Sequence, residues 1–554
     1  MTRTERVTFY AMFTVTVGLL LAFAGWWFRP SHLANNFSGS AHLADLGLFV
    51  VLTLVVSHRI FMDVFGWIVS SRIAAEPAHG PLKPGARVAF LTSFVPSVEP
   101  LEMLRSVLVA MLGADYEHDT WVLDEGGSDD VRLLCQELGV LYFSRHGVRE
   151  YNLVAGPFTG RTKGGNHNAW YDSHAAGYDF VAQIDMDFLP TRDFLTRTLR
   201  HFADETVAFV GTPQVYGNES DSFVAKAAAQ QLYSFYGQVM RGLSARGSCN
   251  MIGANHVVRV AALRQIGWYA GHLTEDLLTG MRLHAAGWRS VYVPAVLAIG
   301  EGPATWHAYI NQQTRWAFGC IDILRRHSLS LVRRMDFRQA ALYLSLQQHY
   351  FSGIAGALGL GVLLAYFGLG LAPANLDPLG TVIWFSPFLI ARSVFSWWLQ
   401  RFDLPEHRRG LLLPGRLISI AIAPFYLLAA VGVIRQRRLV FKVTPKGDMS
   451  SMRASRTSSL ALCLPHLVAG SLAAGCIAAG LLLHRTSVPL LFWAGVTALG
   501  MYGFALVIWA QGDGMKAAVS RATSRAASQR ASEEHEPTAA ERAIGSTREE
   551  LAQS

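Results

Sequence analysis

The chain has 554 residues, more than one ordinary soluble domain needs. Hydrophobic residues make up 51% and charged residues only 16%, against about 25% charged in a typical soluble domain, which excludes a disordered chain and argues against a wholly soluble one. The net charge is +8, from 48 Lys and Arg against 40 Asp and Glu. In a soluble protein that balance points to nucleic acid. Here the apolar residues concentrate on both sides of a polar block, so the excess reads as basic loops on one membrane face, and no nucleic-acid partner is expected. Cys135, Cys249, Cys320, Cys463 and Cys476 are scattered with no CxxC pair. That pattern argues against a disulfide framework or a zinc site and for small buried apolar side chains.

In chain order, residues 7–28 are the first stretch able to cross a bilayer, which takes about 20 mostly apolar residues. They follow Arg3 and Arg6, and no small-residue cleavage site comes directly after them, so a retained anchor is expected. Residues 46–69 are the second stretch. Arg59 and Asp63 stand four apart on one helix face there and are expected to pair near the inner surface. Residues 72–345 are polar enough to fold in water. Five more apolar stretches follow, at roughly 348–371, 378–400, 411–434, 459–483 and 488–511. The middle one carries Pro414, Arg416 and Pro424. Arg408 and Arg409 precede it, and Arg435, Arg437, Arg438, Lys442 and Lys446 follow it. Basic flanks belong in the cytoplasm, so 411–434 is expected to lie on the membrane without crossing it. Two spans before the polar block and four after it then put both termini in the cytoplasm. The tail, 512–554, is charged and rich in Ala, Ser and Arg, a disordered or loosely helical composition.

Inside the polar block, Val88–Phe94 reads as a strand and Leu101–Leu112 as a helix. Residues 120–123, 180–184 and 207–210 read as further strands. Strands alternating with helices imply a mostly parallel α/β sheet, in which ligands bind at the carboxyl ends of strands. Asp124, Asp185 and Asp187 all stand at such ends.

Asp185-Met186-Asp187 sets two carboxylates around one apolar residue, so both can approach one divalent ion and the diphosphate it bridges. Alone, such a DxD is equally a solvated strand end. Thr274-Glu275-Asp276 follows a Gly-rich turn and opens an amphipathic helix. Thr274 there is a helix N-cap, or the segment supplies Asp276 as a general base toward an acceptor hydroxyl. Gln312, Arg315 and Trp316 share one helix face at i, i+3 and i+4. They offer an amide, a guanidinium for diphosphate and an indole for a sugar ring, or else membrane anchors.

The four motifs in this order resemble those of the family 2 processive glycosyltransferases, the cellulose synthases in particular: D, DxD, TED, QxxRW. The flanks are similar as well: FVPSVEP at 94–100, TKGGNHN at 162–168, DFLPTRDFL at 187–195, GTP at 211–213 and AAGWRS at 285–290. Downstream, Phe441-Lys442-Val443-Thr444-Pro445-Lys446-Gly447 resembles the FxVTxK gating loop of that family. The resemblance covers roughly residues 45–510. It departs from the family at Ser97-Val98-Glu99 in a shortened turn, at Phe188 where many members have His, and at 251–255, which lack the family's cysteine. No regulatory domain of the PilZ type is read after the loop.

The resemblance implies a GT-A type, mostly parallel α/β catalytic domain, cytoplasmic and inserted in an α-helical transmembrane domain. Residues 1–71 then supply two membrane helices, 72–345 the catalytic domain, and 346–511 four membrane helices with the interfacial segment 411–434 and the gating loop 435–456. It further implies an inverting hexosyltransferase of the cell membrane that polymerises a UDP-sugar into a β-linked polysaccharide such as cellulose. Asp124 would hold the uracil and ribose, Lys163 would lie near the diphosphate, and Asp185 would bind nucleotide. Asp187, with Asp185, would hold Mg2+ or Mn2+. Asp276 would be the base within Thr274-Glu275-Asp276. Gln312 and Arg315 would bind diphosphate, Trp316 the acceptor sugar, and Thr444 and Lys446 would close over the donor. The implied partners are the UDP-sugar, the growing polysaccharide, membrane lipid and accessory export subunits. Competing classes are a non-processive glycolipid transferase, a synthase of a different polymer (chitin-like, mannan or another β-glucan), and a non-catalytic scaffold or transporter.

Overall fold

The computed structural model describes residues 1–73, 79–81, 84–96, 98–404, 410–437 and 459–533. Ser97, Thr444, Lys446 and the rest of the expected gating loop beyond Arg437 lie outside the described residues, as does the end of the tail.

Among the described residues, ten strands build the domain between the apolar helices: β1 (Val88–Phe94), β2 (Asp119–Asp124), β3 (Leu141–Phe143), β4 (Phe180–Asp185), β5 (Phe188–Pro190), β6 (Val207–Gly211), β7 (Val215–Tyr216), β8 (Asn255–Arg259), β9 (Arg289–Tyr292) and β10 (Ala298–Gly300). Seven of them form one sheet in the order β3-β2-β1-β4-β8-β6-β9, and β5-β10-β7 form a smaller one. This is a GT-A type arrangement. β1 and β4 are almost wholly buried apolar runs, as strands covered on both faces must be. The helix Leu101–Leu112 covers one face with Leu104, Val107, Leu108 and Met111 at helical spacing.

The sheet is mixed where alternation predicts a mostly parallel one. β1, β2, β3 and β4 pair in parallel, but β8 runs antiparallel to both β4 and β6. Its sequence, Asn255-His256-Val257-Val258-Arg259, is too polar at its ends to read as a central strand. Asn255 is buried because its amide donates to Thr212 Oγ1 and to the Pro213 carbonyl, both at 2.8 Å. The parallel register matters most for the site. Phe94 lies opposite Asp124 and Ser93 opposite Asp185, so both acidic strand ends flank β1 on one edge of the sheet.

Among the described residues, seven helices are long and apolar enough to cross a membrane: Arg3–Trp27, Leu43–Ser70, Phe337–Leu369, Pro378–Phe402, Leu413–Ile434, Ala461–Leu482 and Val488–Ala510. The protein is a membrane protein. Leu413–Ile434 stands apart, with 50% of its apolar window buried against 11–28% for the others. It breaks at Ile422 into Leu413–Ala421 and Ala423–Ile434. Both halves pack on the catalytic domain: Gly415 N donates to Gln230 Oε1 at 3.2 Å, and the Tyr426 hydroxyl to Gln313 Oε1 at 2.7 Å.

Asp63 pairs more closely with another helix than with its neighbour one turn away. Arg392 of Pro378–Leu399 meets both Asp63 oxygens, through Nη2 at 3.1 Å and through Nε. Arg59 reaches only to 3.5 Å and is largely exposed. A bidentate guanidinium satisfies a carboxylate among apolar helices better than a same-face pair. The helix begun at Val488 continues to Glu533, so the first part of the tail is helical. All five cysteines are buried and unpaired.

Candidate active site

A cavity of about 1760 Å³ opens at the carboxyl ends of β1, β2 and β4. One wall carries Lys163, Asp185 and Asp187, a second Glu275 and Asp276, a third Gln312, Arg315 and Trp316. It continues to Met62, Phe65 and Gly66 of Leu43–Ser70 and to Gln347, His349 and Tyr350. The sheet edge and the apolar helices therefore share one cleft.

Asp124 is fully buried. Its carboxylate accepts hydrogen bonds from Gly126 N at 2.8 Å, Ser128 N at 2.5 Å and the Tyr142 hydroxyl at 3.0 Å. It shapes the turn after β2, and the carboxylate lining the cleft at this strand end is Glu125. Glu125 takes two bonds from Arg145, at 2.8 and 3.0 Å. Arg145, itself buried, also donates to the carbonyls of Tyr151, Thr159 and Thr162. That fork fixes the loop leading into the helix Lys163–His174, whose Thr162 caps it by accepting from Gly165 N.

Lys163 Nζ reaches Asp185 Oδ1, and donates to the Gly253 carbonyl at 2.7 Å. Burial disfavours the ammonium, but Asp185 and the charges of Glu275 and Asp276 outweigh it and hold Lys163 above its ordinary pKa. Burial, reinforced by Lys163, pushes His167 and His256 down to about 3, so both are neutral. Phe188, directly after the DxD, is buried in β5 opposite Gly300. The Asp187 side chain is mostly buried at the cleft, and its carbonyl accepts from Glu301 N at 3.2 Å. Among the described residues, no three His, Cys, Asp or Glu side chains gather closely enough to hold a metal ion by themselves. Two cleft carboxylates with room beside them fit a hard cation whose remaining ligands are phosphate oxygens.

Glu275 and Asp276 open the helix Glu275–Ala285. Asp276 accepts from Gly253 N at 3.0 Å and Leu277 N at 2.8 Å. Burial raises both carboxyls, and the charge of Asp276 raises Glu275 further. Gly253 is thus a hub that the motifs leave unnamed. Its N–H holds Asp276, and its carbonyl accepts from Lys163 and from Gln183 at 2.9 Å. A Cβ at Gly253 would stand 3.1 Å from Asp276 Oδ2. With Asp276 as the expected base, Gly253→Ala should lower kcat by roughly tenfold to a hundredfold with little change in nucleotide binding, because a small displacement of a reacting group is costly. Steady-state kinetics with UDP inhibition measures both.

Thr274 occupies the N-cap position without capping. Its hydroxyl faces His272 Nδ1 at 3.2 Å, and His272 Nε2 faces Asp322 Oδ2 at 3.2 Å. Asp322 lies on the helix Trp306–Ile323, which also carries Gln312, Arg315 and Trp316. On that helix a Cβ at Gly319 would stand 2.5 Å from Thr274, so glycine allows the two elements to meet. Gln312 faces the Tyr216 hydroxyl at 3.5 Å. Gln313 lines the cleft beside Gln312 and accepts from the Tyr426 hydroxyl at 2.7 Å.

Residues 180–403 match the family model described as Glycosyl transferase family group 2. The cellulose synthase catalytic subunit [UDP-forming] of Pseudomonas fluorescens is 28% identical over 311 residues, covering 54% of this chain and 40% of that protein. A UDP-forming cellulose synthase of Dictyostelium discoideum is 38% identical over 167 residues, 29% of this chain and 16% of that one. The chain spans less than half the length of these curated relatives. A mannosyltransferase from Pyrobaculum calidifontis, solved with GDP-Man and Mn2+, covers 71% of this chain and 100% of its own at 14% identity and a TM-score of 0.47.

Proposed function

We propose that the chain, residues 180–403 of which match Glycosyl transferase family group 2 and which is similar to cellulose synthase catalytic subunits, is a membrane-embedded inverting glycosyltransferase. It polymerises a UDP-sugar, UDP-glucose first among candidates, into a β-linked polysaccharide such as cellulose and passes the product across the membrane. The observation that carries this reading is the single cleft running from Asp185, Asp187 and Asp276 to Phe65, His349 and Tyr350 on the apolar helices. An acceptor elongated at Asp276 has a continuous path toward the membrane.

In this mechanism the uridine sits at the end of β2, where Glu125 faces the cleft and Asp124 fixes the turn. Lys163 and Arg315 set positive charge beside the diphosphate. Gln312 orients it, and Trp316 stacks on the terminal sugar of the acceptor. Asp276 takes the proton of the acceptor hydroxyl as its oxygen attacks the anomeric carbon. The bond from that carbon to the phosphate oxygen breaks, and UDP leaves with the electron pair. Asp185 and Asp187 would hold Mg2+ or Mn2+, which would offset the charge building on the departing diphosphate.

Thr444 and Lys446 close over the donor from the cytoplasm in this reading. Arg325, just beyond the Trp306–Ile323 helix, donates to the Val433 carbonyl at 3.0 Å, which ties the end of Leu413–Ile434 to the helix that carries Gln312, Arg315 and Trp316. A single cysteine at Ser450 is expected to resist a membrane-impermeant thiol reagent in intact cells and to label in opened ones. Labelling in intact cells would place the loop outside and end the gating role. The domain and both termini are then cytoplasmic in the cell membrane, with 411–434 interfacial and accessory export subunits able to receive the polymer.

Purified protein given radiolabelled UDP-glucose, UDP-N-acetylglucosamine or GDP-mannose tests the function. Long insoluble β-linked product from one UDP-sugar is the expected result. Transfer of a single sugar to lipid would replace this reading with a glycolipid transferase.

A further inference from the structure

The two sides of the cleft that transfer needs in register stand on different elements. Asp276 opens the helix Glu275–Ala285, and Arg315 belongs to Trp306–Ile323. Much of what packs between these helices is apolar. Leu277 and Leu278 of the first share one buried cluster with Cys320 and Ile323 of the second. Apolar burial is non-directional. It holds the helices together without fixing how far one lies along the other.

A chain of polar contacts crosses this apolar layer. Asp322 Oδ1 accepts from Arg326 Nε at 2.8 Å, and Asp322 Oδ2 lies 3.2 Å from His272 Nε2. His272 Nδ1 accepts from Thr274 N at 3.2 Å and faces Thr274 Oγ1 at the same distance. Burial lowers the pKa of His272, and Asp322 only partly offsets this, so the ring is neutral at neutral pH. A carboxylate can only accept. Asp322 therefore keeps the ring proton on Nε2 and leaves the Nδ1 lone pair to the Thr274 N–H. Thr274 has given up its usual task for this arrangement. A threonine at the N-cap position ordinarily accepts from the first free N–H groups of the helix, and Thr274 makes no such bond. Its side chain turns instead to His272 and to bare backbone at Gly319, where a Cβ would stand 2.5 Å from it.

We propose that His272 is a positioning residue for sugar transfer: held in one tautomer by Asp322, it locks the Thr274-Glu275-Asp276 turn to the helix of Gln312, Arg315 and Trp316 and so sets the base against the diphosphate. This rests on the reading of Asp276 as the base. His272 itself touches no substrate in that reading. Its loss lets Asp276 drift relative to Arg315, and a misplacement of about 1 Å lowers the rate by about a hundredfold. The loss falls on kcat. Lys163, Asp185 and the turn after β2, which meet the nucleotide in the proposed mechanism, take no part in these hydrogen bonds.

The test uses the full chain in nanodiscs and two independent readouts. Hydrogen–deuterium exchange of the amides in residues 272–278 reads the link without any nucleotide-sugar. Steady-state kinetics, with whichever of UDP-glucose, UDP-N-acetylglucosamine and GDP-mannose the wild type turns over, and calorimetric titration of UDP read function. Asp322→Asn puts a group that can also donate beside Nε2, which frees the ring to take the other tautomer and turn Nδ1–H against the Thr274 N–H. His272→Asn keeps an acceptor near the place of Nδ1 and has no atom at that of Nε2. Both variants are expected to exchange several-fold faster in 272–278 and to lose about tenfold to a hundredfold in kcat, with UDP affinity nearly unchanged. The double variant should be no worse than His272→Asn, because both changes break one chain. Normal kcat in both single variants overturns the proposal even if exchange quickens, since the link would then be structural alone. So does a loss of kcat with exchange unchanged, a loss of UDP affinity as large as that of kcat, or multiplying losses in the double variant. Near-normal turnover by Asp276→Asn with the His272 and Asp322 losses intact would strike the base and leave the link, so the two readings fail separately. Should His272→Asn not fold, the kinetics and exchange of Asp322→Asn decide.

Discussion

Asp276→Asn is expected to cut turnover by about 10²–10⁴-fold, the usual contribution of a general base, while UDP binding stays nearly intact. The amide keeps the size of the carboxylate, and its one oxygen keeps one of the two bonds that Gly253 N makes to Oδ2 and Leu277 N to Oδ1. It cannot take the acceptor's proton. Binding is spared because the nucleotide side of the cleft is built from Lys163, Asp185 and the turn after β2, none of which Asp276 contacts directly through a hydrogen bond. The same carboxyl sets the pH profile. Burial raises Glu275 and Asp276 above the ordinary carboxyl range, which for Asp lies near about 4. A base must be deprotonated to act, so kcat/KM falls as pH drops through the raised value and is full above it. The acid limb therefore lies higher than an exposed aspartate would give, and it disappears in the residual activity of the Asn variant. Near-normal polymer synthesis by Asp276→Asn would remove Asp276 as the base.

Most of what positions this chemistry was legible in the sequence, and the exceptions share a physical cause. The strand ends at Asp124 and Asp185 could be read because β1, β2 and β4 are short apolar runs closed by turns, and parallel pairing sets them on one edge. Helical spacing alone put Gln312, Arg315 and Trp316 on one face. Contacts made by backbone atoms were not legible. Gly253 matters through its N–H and its carbonyl, and no side-chain pattern announces that. The engagement of Asp124 by its own turn and the exposure of Glu125 to the cleft depend on the conformation of four residues after β2. Long-range pairing was equally hidden. Arg59 is the obvious partner of Asp63 by spacing, whereas Arg392 lies 329 positions away in sequence. The smaller sheet escaped because its strands are two or three residues long. His272 and Asp322 could have been suspected as polar residues beside motifs, yet only the fold shows that they link the Thr274-Glu275-Asp276 turn to the Trp306–Ile323 helix.

Chelation of divalent ions should abolish activity, and Asp187→Ala should do so with metal in excess. The argument begins from charge. The cleft already holds Asp185, Asp187, Glu275 and Asp276, and the UDP-sugar brings a diphosphate. Lys163 is shared between Asp185 and the Gly253 carbonyl, and Arg161 and Arg315 are the other Lys or Arg side chains on the lining. Eight Asp and Glu residues line the same cleft, so three cations against them and a diphosphate leave a negative excess, and it grows as the sugar departs. An electrophile in a secluded site is worth several kcal/mol at that moment. Asp187 is placed to hold one, because it lines the cleft and directly follows the strand whose end carries Asp185. Phe188 lines the cleft beside Asp187 but, with its ring packed opposite Gly300, offers the ion no ligand atom. Asp187→Asn should retain part of the activity when Mn2+ replaces Mg2+, as an amide oxygen still ligates but without charge. Calorimetric titration of UDP with and without Mn2+ separates the roles: Asp187→Ala should lose the metal-dependent share of UDP affinity and keep the rest. Full turnover after exhaustive chelation would show that Lys163 and Arg315 suffice, and the ion would then have no place at Asp187.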